Sequence, residues 1–168
     1  MIACEDVVAS FVDAQRPSYY ALSYVWGNPK DLLPITFNGS TFMITRNLWH
    51  ALRQLRADKT VEKSYLWIDA ICIDQTDNQE RNHQVSAMGQ LYSSAAEVIV
   101  WLGEGSEHGY YIMEFLCRFE EAGPKKMARS DVKRFMGSTS PSGSQAIQTL
   151  LNVQYWKRIW IIQEIVLA

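Results

Sequence analysis

Short apolar runs alternate with amphipathic segments along the first part of the chain. Three runs rich in aromatic and β-branched residues, at 20–27, 65–73 and 97–103, predict buried strands. Helical patterns lie between them, at 48–55 after the first run and at 85–95 after the second. This alternation predicts an α/β fold with a mostly parallel central sheet flanked by helices.

Two patterns lie outside that alternation. Asn38-Gly39 divides two β-prone runs within 35–45, and this dipeptide is a strong signal for a β-hairpin. Residues 123–144 carry five basic residues followed by a Ser/Gly/Pro run, which we interpret as a surface insertion. The sequence therefore predicts a β-hairpin and a surface insertion added to one α/β domain.

Helical patterns flank the insertion, at 110–121 before it and at 144–153 and 155–168 after it. The last of these ends in an apolar stretch without a capping residue. We therefore expect a helical insertion, in a single domain of residues 1–168 that belongs to a longer protein.

Composition narrows the class of protein. A chain of 168 residues with 48% hydrophobic residues favours one globular domain over two. Its net charge of −2 argues against nucleic-acid binding through a basic field. Three cysteines without a CxxC motif favour a reducing, cytoplasmic compartment. Neither a signal peptide nor an apolar run of about 18 residues is present, so we expect no membrane span.

The most unusual residue is Glu164, a single carboxylate in the apolar and aromatic segment RIWIIQEIV. Lys157 and Arg158 lie seven and six positions before it, which is too far for neighbours on one α-helix. We therefore expect Glu164 to contact a ligand or a partner elsewhere in the fold, because a buried lone acid is costly. In a continuous helix, the face that holds Glu164 also contains Trp156, Trp160 and Leu167.

Polar and aromatic residues near two strand ends complete a candidate crevice, since open α/β sheets bind ligands at the carboxyl ends of their strands. Asp69 lies inside the second predicted strand, and Ser23, Trp26 and Gly27 end the first. Trp26 is suited to stack on a flat ring, and Gly27 allows close backbone approach. Arg81 opens the following helix and is suited to clamp a phosphate. Each residue also has a purely structural alternative. Asp69 would hold a neighbouring loop through backbone N–H groups, Trp26 would be a core aromatic residue before a turn glycine, and Arg81 would form an ion pair on the surface.

Other chemistries have weaker support. Cys72 with His83 or His108 would make a thiol hydrolase, but cysteine in an apolar strand is usually inert packing. These two histidines and His50 lack ligand spacing, so no metal site is expected. The motifs of Rossmann and P-loop phosphate cradles are also absent from the sequence.

Four blocks of the sequence together resemble the HET domain, the heterokaryon-incompatibility module of fungi. They cover residues 20–168 in the family's order and read YALSYVWG, LWIDAICIDQTDNQER, YSSAAEVIVWLG and RIWIIQEIVLA. Asp74 departs mildly from the family, which usually has asparagine there. The resemblance implies an intracellular inducer of programmed cell death on self/non-self recognition, a form of fungal innate immunity, placed at the N-terminus of a longer protein.

HET domains are in turn distantly similar to TIR domains, which have a flavodoxin-like α/β layout. Trp160 and Glu164 reproduce the Trp-x-x-x-Glu spacing of the helix that carries the glutamate of NAD-cleaving TIR domains. This resemblance implies an NAD glycohydrolase with Glu164 as catalytic carboxylate, no cofactor or metal, and homo-oligomerisation on activation. Substrate contacts are then expected from Ser23, Trp26, Gly27, Asp69, Arg81 and Trp160.

An alternative function remains open at this point. The domain would be a non-catalytic module that signals by self-association, with Glu164 in a structural ion pair. A crevice with Glu164 beside Asp69 and Trp26 favours the enzyme. A buried Glu164 that is already bonded to an arginine and to backbone N–H groups favours the module.

Overall fold

The computed structural model describes residues 2–10, 16–122, 129–137 and 142–166. Two compact units make up the chain, one formed by Met1–Gly103 with Arg158–Ala168 and the other by Glu104–Lys157. The predicted mixture of α and β structure is confirmed. The strands, however, form two small three-stranded sheets in place of one central sheet.

The strands of the described ranges all lie in the first unit. They are β1 (Ala3–Cys4), β2 (Tyr19–Tyr24), β3 (Leu32–Phe37), β4 (Ser40–Thr45), β5 (Tyr65–Trp67) and β6 (Glu97–Trp101). β2 is the middle strand of one sheet and pairs in parallel with β5 and with β6. All three apolar runs predicted to be strands thus meet in one parallel sheet, whose carboxyl ends lie at one edge.

The second sheet contains the predicted hairpin, which is confirmed. β3 and β4 pair antiparallel, and β1 adds in parallel to β3. The turn residues Asn38 and Gly39 both have positive φ angles, of 49° and 75°. A two-residue turn of this kind matches the twist of the flanking strands, and asparagine and glycine tolerate it best.

The helices of the described ranges follow in chain order. They are α1 (Arg46–Ala57), α2 (Asp69–Cys72), α3 (Asn78–Ser93), α4 (Glu107–Ala122), α5 (Arg129–Gly137) and α6 (Gly143–Leu151), then a 3₁₀-helix (Gln154–Lys157) and a π-helix (Ile162–Val166). None of the helices in these ranges combines the length and the apolar composition that crossing a membrane requires.

Helices cover both faces of the parallel sheet. On one face Leu22 and Tyr24 of β2 pack with Leu48 of α1, and on the other Ala21 packs with Met88 of α3. Successive side chains of a strand point to opposite faces, so β2 contributes to two cores at once. A strand buried on both faces explains why its sequence reads as a continuous apolar run.

The second predicted strand is shorter than its apolar run. β5 ends at Trp67, and α2 begins at Asp69, whose carboxylate accepts a hydrogen bond of 2.7 Å from the backbone amide of Ala70. Gln75 Nε2 also donates to the carbonyl of Asp69, at 3.0 Å. A side chain that bonds nearby backbone competes with strand pairing. The prediction of a strand through 65–73, with Asp69 and Cys72 inside it, is therefore wrong.

The second unit is helical. Ile112 of α4, Phe135 of α5 and Ala146 of α6 form its buried centre, and the ring of Phe115 stacks on Phe135 at 4.0 Å between centroids. The predicted insertion at 123–144 contains α5 and the start of α6. Its remaining parts, 123–128 and 138–141, lie outside the described residues.

The last segment is not the continuous α-helix predicted for 155–168. The 3₁₀-helix Gln154–Lys157 is followed by a turn at 159–160, and the π-helix begins at Ile162. Several β-branched isoleucines occur here, and such residues have lower helix propensity. π-helical turns are rare in proteins, and those that occur are often at functional sites. The π-helix therefore makes Glu164, which lies within it, a candidate functional residue.

Candidate functional site

Glu164 is fully buried and is held by two side chains. Arg158 donates from Nη1 to Oε2 at 2.8 Å and from Nη2 to Oε1 at 2.7 Å, which is a bidentate ion pair. The hydroxyl of Ser23 on β2 donates to Oε2 as well. Glu164 has 0% of its side chain exposed and Arg158 has 18%. Both carboxylate oxygens are thus engaged in charge-assisted hydrogen bonds inside the protein.

The break in the last helix makes this ion pair possible. In an α-helix, residues six positions apart do not face each other. Here the chain turns at 159–160, and the amide of Glu164 donates to the carbonyl of Trp160 at 3.2 Å. The expectation that Arg158 is too distant from Glu164 is therefore wrong, because it assumed a continuous helix.

A second polar group surrounds Asp69. Trp26 donates from Nε1 to Oδ2 of Asp69 at 2.7 Å, while the amide of Ala70 donates to Oδ1. The hydroxyl of Tyr24 is buried near this carboxyl but outside ordinary hydrogen-bonding geometry, and has no partner among the described residues. Asp69 is itself buried, whereas Trp26 is 43% exposed. Trp26 therefore gives this group an aromatic surface that solvent reaches.

Arg158 connects the two groups electrostatically. Its positive charge lowers the pKa of Asp69 as well as that of the Tyr24 hydroxyl. The larger effect on both pKa values is burial, which raises them; hydrogen bonds from Trp26 and Ala70 oppose it at Asp69. The site therefore holds two carboxyl groups and one guanidinium. We call it the strand-end cluster, which consists of Ser23, Tyr24, Trp26, Asp69, Arg158 and Glu164.

Asp69 makes the stability of the protein depend on pH in a defined direction. Its pKa in the folded state lies above the unfolded value of about 3.9, so the folded state retains a proton that the unfolded state loses. The contribution of Asp69 to the free energy of unfolding is largest below about pH 4 and decreases as pH rises through the pKa of Asp69 in the folded state. Urea unfolding of the wild-type chain and of Asp69→Asn at several pH values measures this.

We subtract the free energy of unfolding of Asp69→Asn from that of the wild-type chain, and we expect this difference to decrease as pH rises above about 4. Subtraction is necessary because Asp31, Asp58 and Asp74 have lowered pKa values and act in the opposite direction. The lost hydrogen-bond acceptor in the variant adds a constant offset. A difference that stays constant or increases with pH contradicts the raised pKa of Asp69.

The other predicted site residues lie around the cluster in different ways. Gly27 follows Trp26 with φ of 83°, and a Cβ there would approach Cβ of Asn47 to 3.2 Å. Trp160 is 44% exposed and contacts Glu164 through its backbone. Arg81 is exposed and donates to Asn78 on its own helix at 2.7 Å. Ser23, Trp26, Asp69 and Glu164 are therefore the predicted residues that the structure joins by side-chain contacts.

The sequence patterns did not identify two residues that shape the site. Arg158 was rejected on helical spacing. Asn47 was not considered, although its Nδ2 donates to the carbonyl of Val25 at 2.5 Å and its Oδ1 accepts from Trp101 Nε1 at 3.0 Å. Asn47 thus fixes the ends of β2 and β6. An asparagine in the first turn of a helix offered no signal for that role.

The contacts of Cys72 do not support a thiol hydrolase. Cys72 lies in α2, where its sulfur accepts a hydrogen bond from the amide of Ile68 at 3.4 Å. Cys72 is an exposed residue, yet desolvation of its sulfur by the surrounding protein raises the pKa of its thiol, which disfavours the nucleophilic thiolate. Within the described ranges, no three His, Cys, Asp or Glu side chains are grouped so that they could hold a metal ion.

Comparisons with known proteins cover the same residues. The family model described as "Heterokaryon incompatibility protein (HET)" matches residues 19–164, a range that contains the whole strand-end cluster. The Neurospora crassa protein "Heterokaryon incompatibility protein 6, OR allele" is 40% identical over 112 residues. That alignment covers 60% of this chain and 16% of the relative, so this chain spans a small part of that protein's length. No solved structure matches the chain.

Proposed function

Because the chain belongs to the heterokaryon incompatibility (HET) family, we propose that it is a fungal cell-death effector that cleaves NAD at the nicotinamide–ribose bond. One observation carries the chemical part: the Glu164 carboxylate lies against Ser23 near the carboxyl end of β2, the middle strand of a parallel sheet. Ligand sites of open α/β sheets occur at this edge. Buried ionisable groups with shifted pKa values, such as Asp69, are also typical of functional sites.

One carboxylate is sufficient for this reaction. Ordinary glycosidases need a second acid to protonate the leaving oxygen. In NAD the nicotinamide ring is a cationic pyridinium. It departs with the electron pair of the bond to ribose and becomes neutral, so its departure needs no proton. The ribose carbon develops positive charge, and Glu164 would stabilise it while water attacks. At about 4 Å and an effective dielectric constant near 20, this attraction is worth about 4 kcal/mol.

The remaining residues of the cluster would orient the substrate. Trp26 has an exposed indole face, which suits stacking on the nicotinamide or adenine ring. The indole nitrogen is fixed by Asp69, so the ring is held in one orientation. Gly27, next in the chain, forms the turn after β2 with φ of 83°, a conformation that glycine tolerates best.

The proposal is tested by incubating the 168-residue chain at high concentration with NAD and measuring both products. We expect nicotinamide and ADP-ribose to be released in equal amounts. The rate should be proportional to protein concentration, or steeper if oligomers complete the site. Heat-denatured protein is the control. Intact NAD after prolonged incubation with folded protein, at all concentrations up to those at which it self-associates, would overturn the proposal.

The burial of Glu164 supports a second candidate, a non-catalytic module that signals by self-association. A carboxylate with no exposed surface, bonded to Arg158 and Ser23, has the properties of a structural ion pair. This function predicts concentration-dependent oligomers in sedimentation experiments without any nicotinamide release. A monomer that releases nicotinamide would exclude it.

A further inference from the structure

The bonding of Glu164 presents a physical problem for any reaction at its carboxylate. Both of its oxygens accept hydrogen bonds from Arg158, and one accepts a further bond from Ser23. Its exposed fraction is 0%. A ribose cannot approach these oxygens unless Arg158 first finds another acceptor. Moving the arginine away without a replacement would leave the charge of the fully buried Glu164 without its guanidinium, which costs several kcal/mol.

We propose that Arg158 is a phosphate-binding residue, and that a substrate diphosphate replaces Glu164 on its guanidinium and so releases the carboxylate. The identity of the diphosphate rests on the proposed cleavage of NAD, whereas the exchange itself rests on the contacts of Arg158. Binding and activation are then a single event. A nucleoside without phosphates would leave Glu164 bonded to Arg158.

The geometry of Arg158 suits this exchange. A guanidinium presents its donors as a planar fork that fits a carboxylate and a phosphate equally well. Arg158 already uses this fork on Glu164, with two bonds of 2.7 and 2.8 Å. With 18% of its side chain exposed, Arg158 is the member of the ion pair that an arriving anion can reach. The raised pKa of Asp69 favours its neutral form and so reduces the repulsion between this neighbour and a phosphate.

Arg81 is a weaker choice for the same role. Arg81 was expected to bind a phosphate because it opens the helix that follows the second predicted strand. Its hydrogen bond goes to Asn78 on the same helix, and its side chain is exposed. A phosphate bound at Arg81 would not change the bonding of Glu164, whereas a phosphate at Arg158 must.

The test measures binding of inorganic pyrophosphate to the 168-residue chain by calorimetry, at fixed ionic strength. Glu164 competes with the anion for Arg158, so weakening Glu164 should strengthen pyrophosphate binding. We expect Ser23→Ala to lower the dissociation constant about tenfold, the usual worth of one hydrogen bond to a charged group. Glu164→Gln, which removes the competing charge, should lower it by more than tenfold. Glu114→Gln, which alters an exposed ion pair with Arg118, should leave it unchanged.

The outcomes separate this inference from the proposed function. Pyrophosphate binding involves no cleavage, so tighter binding by both variants supports the exchange even if NAD stays intact. Ser23→Ala keeps the ion pair and remains informative if Glu164→Gln does not fold. Equal affinity of wild type and Ser23→Ala, or weaker binding by Ser23→Ala, would overturn the inference.

Discussion

Replacing Arg158 with methionine lowers the free energy of unfolding by about 3 to 5 kcal/mol, the usual cost of leaving one partner of a buried ion pair behind. Glu164 then remains buried with no guanidinium to balance its charge. Methionine is unbranched and apolar, so it fills much of the space of the arginine stem. Urea unfolding monitored by tryptophan fluorescence measures the change.

A double-mutant cycle isolates the ion pair from packing effects. Arg158→Met combined with Glu164→Gln leaves no buried charge in this pair, so we expect it to be at least about 2 kcal/mol more stable than the sum of the single effects predicts. Arg118→Met is the matched control, because its pair with Glu114 is 68% and 61% exposed. Exposed pairs contribute about 1 kcal/mol or less. Equal losses for Arg158→Met and Arg118→Met would contradict a buried pair.

Glu164→Gln reduces the rate of nicotinamide release from NAD by about a thousandfold under the proposed mechanism. The attraction of about 4 kcal/mol between carboxylate and ribose acts only when charge has developed. Since about 1.4 kcal/mol corresponds to a factor of ten in rate, its loss amounts to about three powers of ten. Glutamine has the same shape but no charge. Initial rates at saturating NAD measure the effect.

Two further variants distinguish lost chemistry from lost folding. Glu164→Gln removes the charged carboxylate from its bidentate pair with Arg158 and destabilises the fold, so its activity alone is ambiguous. The double variant with Arg158→Met carries no charge at this pair. We expect circular dichroism to show that it is folded, and we expect it to be inactive because it lacks both the carboxylate and the proposed phosphate-binding arginine. Glu114→Gln should keep full activity, because it changes an exposed glutamate of the other unit. Turnover by the folded double variant would show that Glu164 is not the catalytic carboxylate.

Local patterns predicted the parts of the fold that local physics determines. Asn38-Gly39 predicted the hairpin because few residues accept two positive φ angles in succession. The four sequence blocks predicted the HET family, which is confirmed. The TIR-like layout stays a prediction.

The candidate site was predictable in its members but not in its connections. Ser23, Trp26, Asp69 and Glu164 were selected as polar or aromatic residues near strand ends, and the structure joins them in two pairs. The partner of Glu164 was missed because helical spacing alone excluded Arg158. That spacing is a property of an unbroken α-helix, and the bond from Ser23 to Glu164 is a long-range contact that a sequence window does not contain. The strand through Asp69 failed for a related reason, since one carboxylate redirected the backbone.

The hydrogen bond from Ser23 to Glu164 joins residues 141 positions apart in the chain. Ribosomes add about 5 to 20 residues per second, so the glutamate is synthesised about 7 to 30 s after the serine. During that interval the growing polypeptide already contains Trp26 and, for most of it, Asp69, but lacks the carboxylate proposed for the reaction. Under the proposed mechanism, the nascent chain cannot cleave NAD before this late segment docks against β2, so the order of synthesis delays the reaction until the parallel sheet and its last segment have come together.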